Sequence, residues 1–374
     1  MSPIGLYVHV PFCSAICNYC NFTRGLLDEA VKRAYVDALV ADIERHGDGV
    51  EADSVYFGGG TPSLLEPAEI ARVLDACAAA FRLDAGAEVT LEANPETLTH
   101  ERLAGFRAAG INRLSLGVQS FSDDELRRLG RIHDGARARD AVGQARAAGF
   151  DNISLDLMLW LPGQTPGDWL ASVNALVAVA PEHASLYLLD LYPNAPLREE
   201  MARGGWALPP DELAATMYLE GLEVLDSAGY RQYEISNVTR PGRESRHNLK
   251  YWTDGEWHAF GCGAHGTREN VRWRNVAGTA EYVDRIRTGA DPAADRRQLD
   301  PETRFGEAVF MGLRLVDGVD RSQMVRRYGT DPLERFGADL DLFVERGLLR
   351  TDGGRVRLTR EGFLLANEVM AVFV

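Results

Sequence analysis

The sequence predicts an α/β fold, a partial (β/α)6 TIM-like barrel followed by a smaller C-terminal helical domain. Up to about residue 236, short β-branched or aromatic runs alternate with longer segments of helical spacing. Such alternation is typical of βαβ units around a parallel sheet. Polar, glycine-rich or cysteine-rich segments follow the ends of several of these runs, as they do at the rim of a TIM barrel. Beyond residue 240 the alternation stops, which indicates a different architecture there.

Six runs are predicted to be barrel strands. They lie at 5–10, 53–57, 88–93, 112–118, 151–159 and 184–191, with a candidate seventh at 231–236. Helical spacing of apolar residues predicts helices at 29–46, 67–82, 98–109, 135–148 and 167–179. An Ala-Gly pair precedes three of the strands, so Gly110, Gly149 and Gly229 are predicted to end helices in the left-handed conformation.

Three regions are expected: the barrel at 1–240, a linker region with the motif HNLKYW at 241–297, and the C-terminal domain at 298–374. In the last region, the Asp-Gly-Gly turn at 352–354 predicts a hairpin before a final helix, which is winged-helix-like. Winged helices often bind DNA. Acidic residues outnumber basic ones from residue 331 onward, so contact with protein is the better expectation.

The charge and hydropathy of the chain limit its partners. The formal net charge of −15 would repel phosphate backbones, so nucleic acid is not an expected partner. No run of about 18 apolar residues is present, so a membrane-spanning protein is not expected. The first residues lack the pattern of a secretory signal, and a cytoplasmic location is predicted.

Three of the five cysteines, Cys13, Cys17 and Cys20, share the spacing C-x3-C-x2-C just after the first predicted strand. Thiolates this close need a cation between them, and thiolate groups favour zinc or iron-sulfur centres. One interpretation is a Cys3His zinc knuckle that includes His9, in a binding protein without enzymatic activity. The other is a [4Fe-4S] cluster with three protein ligands, whose fourth iron stays open for a substrate or cofactor.

The cysteine spacing, Tyr19 beside the last cysteine, and the following segment YFGGGTPSLL resemble the radical S-adenosylmethionine (SAM) superfamily. The resemblance implies that the open iron is chelated by the amino and carboxylate groups of SAM. It also implies that reduction can cleave SAM to a 5′-deoxyadenosyl radical. The glycine-rich segment would contact the SAM amino group.

Further motifs, YVHVPFC, GGGTP, LEANPE, LSLGVQSF, SLDLMLWLPGQT and HNLKYW, narrow the resemblance to one family. They are similar to the oxygen-independent coproporphyrinogen III oxidases and their HemW-type haem chaperone relatives, over about residues 5–266. The residues that the resemblance implies for SAM binding are Tyr7, Tyr19, Gly59, Gly60, Thr61, Glu92, Gln119, Arg131 and Asp156. Taken singly, Glu92 and Asp156 could be ordinary strand-end carboxylates, and Arg131 a helix-capping cation.

Two features favour the chaperone branch. The oxidase pattern places a further cysteine where this chain has Phe22, and the oxidases resemble chains with a longer N-terminal extension. The motif HNLKYW is associated with haem in the chaperone-like group, which implies His247, Asn248, Tyr251 and Trp252 as haem-binding residues. The alternative is that His247 and Asn248 hydrogen-bond a loop while the two aromatic residues pack beneath it.

Other groups were candidates for haem contacts. His258 and His265 could supply a second axial ligand, and the arginines of RESR and RWR could pair with propionates. The chain departs from the chaperone pattern at Asn21, at Trp160, which could narrow the barrel mouth, and at Cys262.

The resemblance therefore implies a haem chaperone that binds a [4Fe-4S] cluster, SAM and haem, with a haem-accepting protein as partner and a homodimer possible. Because the machinery could also cleave SAM, enzymatic activity stays open. A coproporphyrinogen III dehydrogenase is one alternative. A methyltransferase or cyclopropane-forming enzyme acting on a small molecule is another.

Overall fold

The computed structural model describes residues 2–373. The strands are β1 (Ile4–Val10), β2 (Phe12–Cys13), β3 (Gly25–Leu26), β4 (Glu51–Gly59), β5 (Arg82–Ala93), β6 (Arg113–Gln119), β7 (Ile153–Leu159), β8 (His183–Leu188), β9 (Arg231–Glu234), β10 (Asn237–Thr239), β11 (Trp257–Phe260), β12 (His265–Arg268), β13 (Val271–Asn275), β14 (Ala293–Gln298), β15 (Val319–Asp320), β16 (Leu349–Arg350) and β17 (Arg355–Leu358).

The helices are α1 (Glu29–His46), α2 (Pro67–Ala80), α3 (His100–Ala109), α4 (Asp123–Arg128), α5 (Gly135–Ala147), α6 (Pro166–Val179), α7 (Pro196–Gly204), α8 (Asp211–Ser227), α9 (Arg246–Trp252), α10 (Thr279–Thr288), α11 (Pro301–Gly312), α12 (Arg321–Tyr328), α13 (Pro332–Glu345), α14 (Arg360–Leu364) and α15 (Ala366–Met370). Short 3-10 turns follow β4 and β5 and end the described chain.

Six parallel strands form the centre of the molecule in the order β1-β4-β5-β6-β7-β8, each joined to the next by a helical crossover. Within residues 2–373 the outer strands of this sheet, β9 and β14, do not pair with each other, so the barrel is open. This arrangement confirms the predicted partial (β/α)6 barrel. The candidate seventh strand became β9, which is antiparallel to its neighbour and lies outside the parallel set.

Alternation along each strand separates two faces of the sheet. Outward side chains such as Leu6, Val55 and Leu91 are fully buried, and they belong to the core that the surrounding helices also line. Inward positions are polar, as at Thr90 and Ser115, which are also buried. An inner face of this composition suits a barrel that holds a polar ligand, because buried polar groups need hydrogen-bond partners.

Local signals explain why the helices begin and end where they do. Asp28 caps α1 by accepting from the amides of Ala30 and Val31. The predicted helix-ending glycines Gly110, Gly149 and Gly229 have φ angles of 111°, 88° and 87°. Only glycine adopts this region without strain, which confirms the prediction made from the Ala-Gly pairs.

The region after the barrel extends the same sheet. β11 runs parallel to β1, and β12, β13 and β14 follow it as antiparallel strands. At the opposite edge, β10 pairs with β8 and β9 pairs with β10. Residues 241–297, expected to be a linker region, therefore contain α9, α10 and four strands; the boundaries proposed at 240 and 298 stay predictions.

The C-terminal residues fold in the order α11-β15-α12-α13-β16-β17, which is the order of a winged helix, with the turn at 352–354 joining the last two strands. This part has a hydrophobic core of its own that includes Val309, Leu340 and Val356. Arg314 connects it to the barrel sheet through an ion pair of 3.0 Å with the buried Glu234. No helix among residues 2–373 is long and apolar enough to span a membrane.

Candidate functional site

The three clustered cysteines lie on the loop between β1 and α1, at the carboxyl end of the first barrel strand. Cys13 ends β2, and its carbonyl accepts from the amide of Leu27 at 3.0 Å, which closes the base of the loop. The amide of Cys20 donates to the carbonyl of Cys17 at 3.3 Å. The backbone therefore holds all three thiols in one short segment above the sheet.

A cavity of about 320 Å³ lies at the carboxyl ends of the parallel strands, beneath this loop. Eleven predicted site residues line it: Cys13, Cys17, Tyr19, Cys20, Gly59, Gly60, Thr61, Glu92, Gln119, Arg131 and Asp156. They come from the ends of five neighbouring strands, β4 to β7 and the loop after β1. The structure thus brings together at one rim residues that are more than a hundred positions apart in sequence.

A chain of polar contacts joins two of the cysteines through three strand ends. The Thr61 hydroxyl lies 3.6 Å from the Cys13 sulfur and accepts from the Asn94 amide at 3.1 Å. Arg131 donates to the Asn94 side-chain oxygen at 2.7 Å and to the Cys17 sulfur at 3.3 Å. A third Arg131 bond, to the Gly117 carbonyl at 2.7 Å, fixes the guanidinium on β6. These contacts orient the cysteine loop against the barrel.

Gly60 lets the cysteine loop approach β4 closely. A β-carbon at this position would lie 2.7 Å from the Phe12 carbonyl oxygen and 3.0 Å from the Cys13 sulfur. The neighbouring Gly59 has a φ angle of 120°, and its amide donates to the Glu92 carboxylate at 3.0 Å. The glycine-rich segment therefore packs against both the first cysteine and a cavity carboxylate.

Two buried carboxyl groups give the cavity its electrostatic character. Burial raises the pKa of Glu92 to about 7, although Tyr56 donates to its carboxylate at 2.8 Å. Burial likewise raises the pKa of Asp156 to about 6, opposed by hydrogen bonds from Ser185 and Ser115 and by the charges of Arg113 and Arg131. Both groups change charge near neutral pH, where a bound cation or hydroxyl-rich ligand would favour the ionised forms.

The thiols fit an iron-sulfur cluster better than a single ion. Within residues 2–373 no three His, Cys, Asp or Glu side chains converge on one ion position. In a [4Fe-4S] cluster each cysteine binds a different iron, and here all three cysteines line the same cavity. Burial raises the pKa of the Cys13 and Cys20 thiols, so their ionisation requires the cation.

The zinc knuckle with His9 is not supported by the geometry. The His9 ring hydrogen-bonds the Thr23 carbonyl oxygen at 2.9 Å through one nitrogen and the Tyr7 hydroxyl at 3.1 Å through the other. Burial lowers the pKa of this imidazole, and its ring packs beneath Gly59. With both ring nitrogens hydrogen-bonded, His9 does not complete a Cys3His site.

Tyr7, predicted to contact SAM, lies in the layer beneath the cavity lining, stacked near Tyr56.

The HNLKYW residues lie at the opposite, amino-terminal side of the barrel. His247 is fully buried on α9, with Nδ1 3.0 Å from the Ser54 hydroxyl and Nε2 2.9 Å from the Tyr251 hydroxyl. Its ring approaches Gly5, at the start of β1. Burial lowers the pKa of His247 to about 3. In this conformation the His247 ring is buried with both nitrogens hydrogen-bonded, and its assignment as an axial haem ligand stays a prediction.

The other residues of the HNLKYW motif also make hydrogen bonds and packing contacts within the fold. The amide of Asn248 donates to the Ser245 hydroxyl at the start of α9. Tyr251 and Trp252 line a separate cavity of about 270 Å³ between α9 and α11. Arg314 lies 4.2 Å above the Trp252 ring. These are the hydrogen-bonding and packing contacts that the alternative interpretation of the motif expects, while haem binding by these residues stays a prediction.

The other candidate haem contacts are scattered. His258 stacks on Phe260 at the sheet extension, with ring centroids 4.5 Å apart, and His265 is exposed at the start of β12. Among the arginines, Arg243 pairs with Asp151, and Arg272 pairs with Glu307. They do not form one propionate-binding group.

Several cavity residues were missed by sequence reasoning as site residues. The additional lining side chains are Ala15, Phe22, Arg24, Ala93, Asn94, Ser115, Met158 and Tyr187, together with Gly117. Asn94, Ser115, Met158 and Tyr187 stand at inward positions of predicted strands or just after them, so strand alternation could have identified them. Arg24, which donates to the carbonyls of Cys20 and Phe22, had no such signal because it lies on an irregular loop.

The three departures from the chaperone pattern lie apart. Asn21 is exposed, and it precedes Phe22, which is 68% exposed and lines the cavity beside the cysteines. Trp160 has a φ angle of 64° and donates to the Pro209 carbonyl at 2.6 Å, and it is absent from the cavity lining, so it does not narrow this cavity. Cys262 is buried near Tyr35 and Thr279 and does not line the cavity.

An open six-stranded barrel with three cysteines above its carboxyl-terminal rim defines a protein of the radical SAM class. The family model of the Radical SAM superfamily matches residues 7–176, and that of the HemN C-terminal domain matches residues 299–365. This class implies a [4Fe-4S] cluster and SAM as cofactors, as the resemblance of the sequence motifs implied.

Curated relatives match over nearly the whole chain. The haem chaperone HemW of Bacillus subtilis is 36% identical over 98% of both chains. The haem chaperone HemW of Mycobacterium tuberculosis is 38% identical over 98% of this chain and 94% of its own. A mitochondrial radical S-adenosyl methionine domain-containing protein 1 of Bos taurus is 45% identical, with coverages of 98% and 86%. The chain belongs to the HemW family within the radical SAM superfamily.

Among solved structures, the coproporphyrinogen III oxidase HemN of Escherichia coli, a radical SAM enzyme, superposes with a TM-score of 0.87. The match covers 99% of this chain and 90% of that chain, at 23% sequence identity. At this identity the likeness establishes the shared fold alone. Both the barrel and the C-terminal domain are included in it.

Proposed function

We propose that this protein is a radical SAM haem chaperone that binds a [4Fe-4S] cluster, SAM and haem, and delivers haem to haem proteins. The observation that carries the proposal is the combination of a complete cysteine rim with full-length similarity to proteins named haem chaperones. The recipient is a haem-accepting protein. A cytoplasmic location and a homodimer remain predictions.

The residues assigned to the cluster are Cys13, Cys17 and Cys20. When bound, the cluster and SAM together supply one-electron chemistry. Arg131 and Thr61, through their contacts with the sulfurs, would hold two of the thiolates in place and supply hydrogen-bond donors to them. Such bonds stabilise negative charge on sulfur, so the network would tune the cluster as well as position it.

The residues assigned to SAM are those that line the cavity beneath the loop. Glu92 and Asp156 present carboxyl groups from β5 and β7, and Gln119 ends β6 with a φ angle of 67°. This left-handed conformation is uncommon outside glycine and is retained at sites where a side chain must be aimed. We assign these three side chains to the polar groups of SAM.

The position of the haem site follows from the burial of His247 and the exposure of Phe22. Because His247 is buried with both nitrogens hydrogen-bonded, haem binding through it would require α9 to leave the barrel. Phe22, by contrast, offers an exposed aromatic surface beside the cluster. We therefore propose that the porphyrin binds near the barrel mouth and that α9 is structural.

The test is a haem titration of anaerobically reconstituted protein, followed at the Soret band, with transfer to apomyoglobin as a second readout. We expect saturable binding and transfer by the wild type. Steady conversion of coproporphyrinogen III to protoporphyrinogen would instead identify an oxidase. Binding of no haem, together with consumption of SAM on a small molecule, would point to a methyltransferase.

His247→Ala and Ser54→Ala distinguish the two roles of the motif. Both remove the hydrogen bond between Ser54 and His247, but only His247→Ala also removes the imidazole and its hydrogen bond with Tyr251. We expect both variants to lose stability, His247→Ala by about 2–4 kcal/mol because it also opens a cavity, and both to keep haem affinity. Loss of the Soret shift in the folded His247→Ala protein alone would restore His247 as the ligand.

A further inference from the structure

One buried charge is not used by the site described so far. Arg113 is the first residue of β6, and its side chain is 1% exposed inside the barrel. Its Nε and Nη1 atoms are buried and have no hydrogen-bond partner in residues 2–373. A buried cation without compensation is strongly unfavourable, so the nearest negative groups decide how it is tolerated.

The strand register places Arg113 one layer below the cavity carboxyl groups. Arg113 pairs with Thr90, which precedes Glu92 by two residues on β5. Ser115, two residues after Arg113, pairs with both Glu92 and Ser154, and Ser154 precedes Asp156 by two residues on β7. Two residues along a strand span about 6.6 Å, so both carboxyl groups stand within one side-chain length of the guanidinium layer.

The imidazoles and hydroxyls around Arg113 do not neutralise it. Burial lowers the pKa of His183 and of His247, so both imidazoles are neutral in the folded protein. The Thr90 hydroxyl is buried without a partner in residues 2–373. Glu88, buried two residues before Thr90 on β5, is a further carboxyl group on this face and accepts from the His247 amide at 3.1 Å. The other titratable and charged groups facing the two cavity carboxyl groups and Arg113 are Tyr7, Tyr56, Tyr187, Tyr233, Tyr251, His183, His247, Arg131 and Glu234. The phenols are neutral, since burial raises their pKa.

We propose that Arg113 is a positioning residue, the buried counter-charge that favours the negatively charged forms of Glu92 and Asp156 and so sets the pH range in which the cavity binds SAM. The inference rests on the proposed function, which assigns these carboxyl groups to SAM. Arg113 itself lies beneath the cavity lining and acts through the two carboxyl groups. Its field lowers the pKa of each, against the larger effect of burial.

The first experiment measures SAM affinity against pH for the reconstituted wild type, Arg113→Met and Arg113→Lys. Affinity in the wild type should fall as pH drops through about 7 to 6, where the carboxyl groups gain protons. In Arg113→Met the pH at which SAM affinity falls should be about one unit higher than in the wild type. SAM binding by this variant should then be up to about tenfold weaker at pH 7 and should recover near pH 8.5. Arg113→Lys should follow the wild type.

An equal loss of affinity at every pH in Arg113→Met would overturn the proposal, because a purely structural role predicts it. A second measurement does not depend on SAM: chemical unfolding of Arg113→Met, Glu92→Gln and the double variant. If Arg113 balances Glu92, the cost of Arg113→Met should be smaller in the Glu92→Gln background. Additive costs would refute the inference, whereas a wild type that binds no SAM at any pH would refute the proposed function alone.

Discussion

The cysteine loop shows what single residues contribute at this site. Burial raises the pKa of the Cys13 and Cys20 thiols, while Thr61 and Arg131 supply hydrogen-bond donors to the sulfurs of Cys13 and Cys17. The loop itself contributes few side chains to the barrel core, which is built by the strands and the surrounding helices. Cluster binding and barrel stability are therefore separable at the level of one residue.

Replacing Cys13 by alanine should abolish the cluster while the barrel stays folded. Removal of one of three ligands leaves too few thiolates to hold four irons, and the change deletes only one sulfur at the rim. We expect loss of the charge-transfer absorption near 400 nm, about the region typical of thiolate-bound iron-sulfur centres, with far-ultraviolet circular dichroism unchanged.

Cys77→Ala is the matched control for that variant. Cys77 is a fully buried thiol on α2, remote from the loop, so its loss should lower stability by about 1–2 kcal/mol and leave iron content unchanged. Unfolding of the Cys13→Ala protein would show that the cysteines form a structural centre. Iron loss in Cys77→Ala would show that the readout is not specific to the loop.

Sequence alone identified most rim residues because their chemistry is unusual: clustered cysteines, a triple glycine, and carboxyl groups at strand ends. It did not indicate on which side of the barrel His247 lies, because a motif records which residues occur together and not where they stand in the fold. Arg113 was missed for another reason. An arginine at the start of a strand suggests an exposed side chain, and only the register shows that it points into a closed interior.

At the scale of elements, the close approach of β4 to the cysteine loop depends on a missing side chain. The Gly60 α-carbon faces the Phe12 carbonyl and the Cys13 sulfur, with no room for a methyl group. The strand and the loop can meet only if this position is glycine. The contact then determines how far the first thiol stands above the cavity.

Gly60→Ala should displace the loop and weaken the cluster. Overpacking at a backbone contact costs about 1–3 kcal/mol, and here the movable partner is the cysteine loop. We expect a faster loss of iron to a chelator, measured by absorbance, with a lower melting temperature. Gly143→Ala on α5 is the control: a β-carbon there meets nothing within 4 Å, so helix propensity should raise stability by up to about 1 kcal/mol.

Element boundaries could be predicted well where a chemical stop signal was present. The first predicted helix coincides with α1, since Asp28 caps it and His46 ends it before a glycine. The strands of the sheet extension were not predicted. Residues 257–275 carry His, Arg and Trp at edge positions, without the apolar alternation that marks a barrel strand.

For the whole molecule, the C-terminal domain is joined to the barrel by a buried ion pair. Arg314 reaches Glu234, which has no exposed surface, while its guanidinium also covers the Trp252 ring. Burial raises the pKa of Glu234, opposed by the charge and hydrogen bonds of Arg314. Removing the arginine would leave a buried carboxylate without its counter-ion.

Arg314→Gln should therefore lower the free energy of unfolding by about 3 kcal/mol at pH 7. A raised folded-state pKa means that the protonated form is favoured in the folded protein. The protonated form of Glu234 therefore stabilises the folded protein at low pH, and this contribution is lost as pH rises through the folded-state pKa of Glu234. The deficit of the variant should consequently shrink between pH 7 and pH 5, as measured by urea unfolding.

Arg360→Gln serves as the comparison, since its pair with Asp226 is largely exposed at 2.7 Å. This variant should change stability by less than about 1 kcal/mol at either pH. If both variants behaved alike, the interdomain pair would be no more than a surface contact. If the loss of stability in Arg314→Gln did not change with pH, its cause would be lost packing on Trp252 and not the uncompensated Glu234 carboxylate.

The position of α9 also governs the sequence in which the protein can be loaded. With His247 filling the space between the amino ends of β1 and β4, molecules reach the cavity from the rim, past Cys13, Cys17 and Cys20. A molecule that binds in the cavity first is covered by a molecule that binds at the rim later. Loading at the rim is therefore ordered in time, and release runs in reverse: the last component to bind there is the first that can depart.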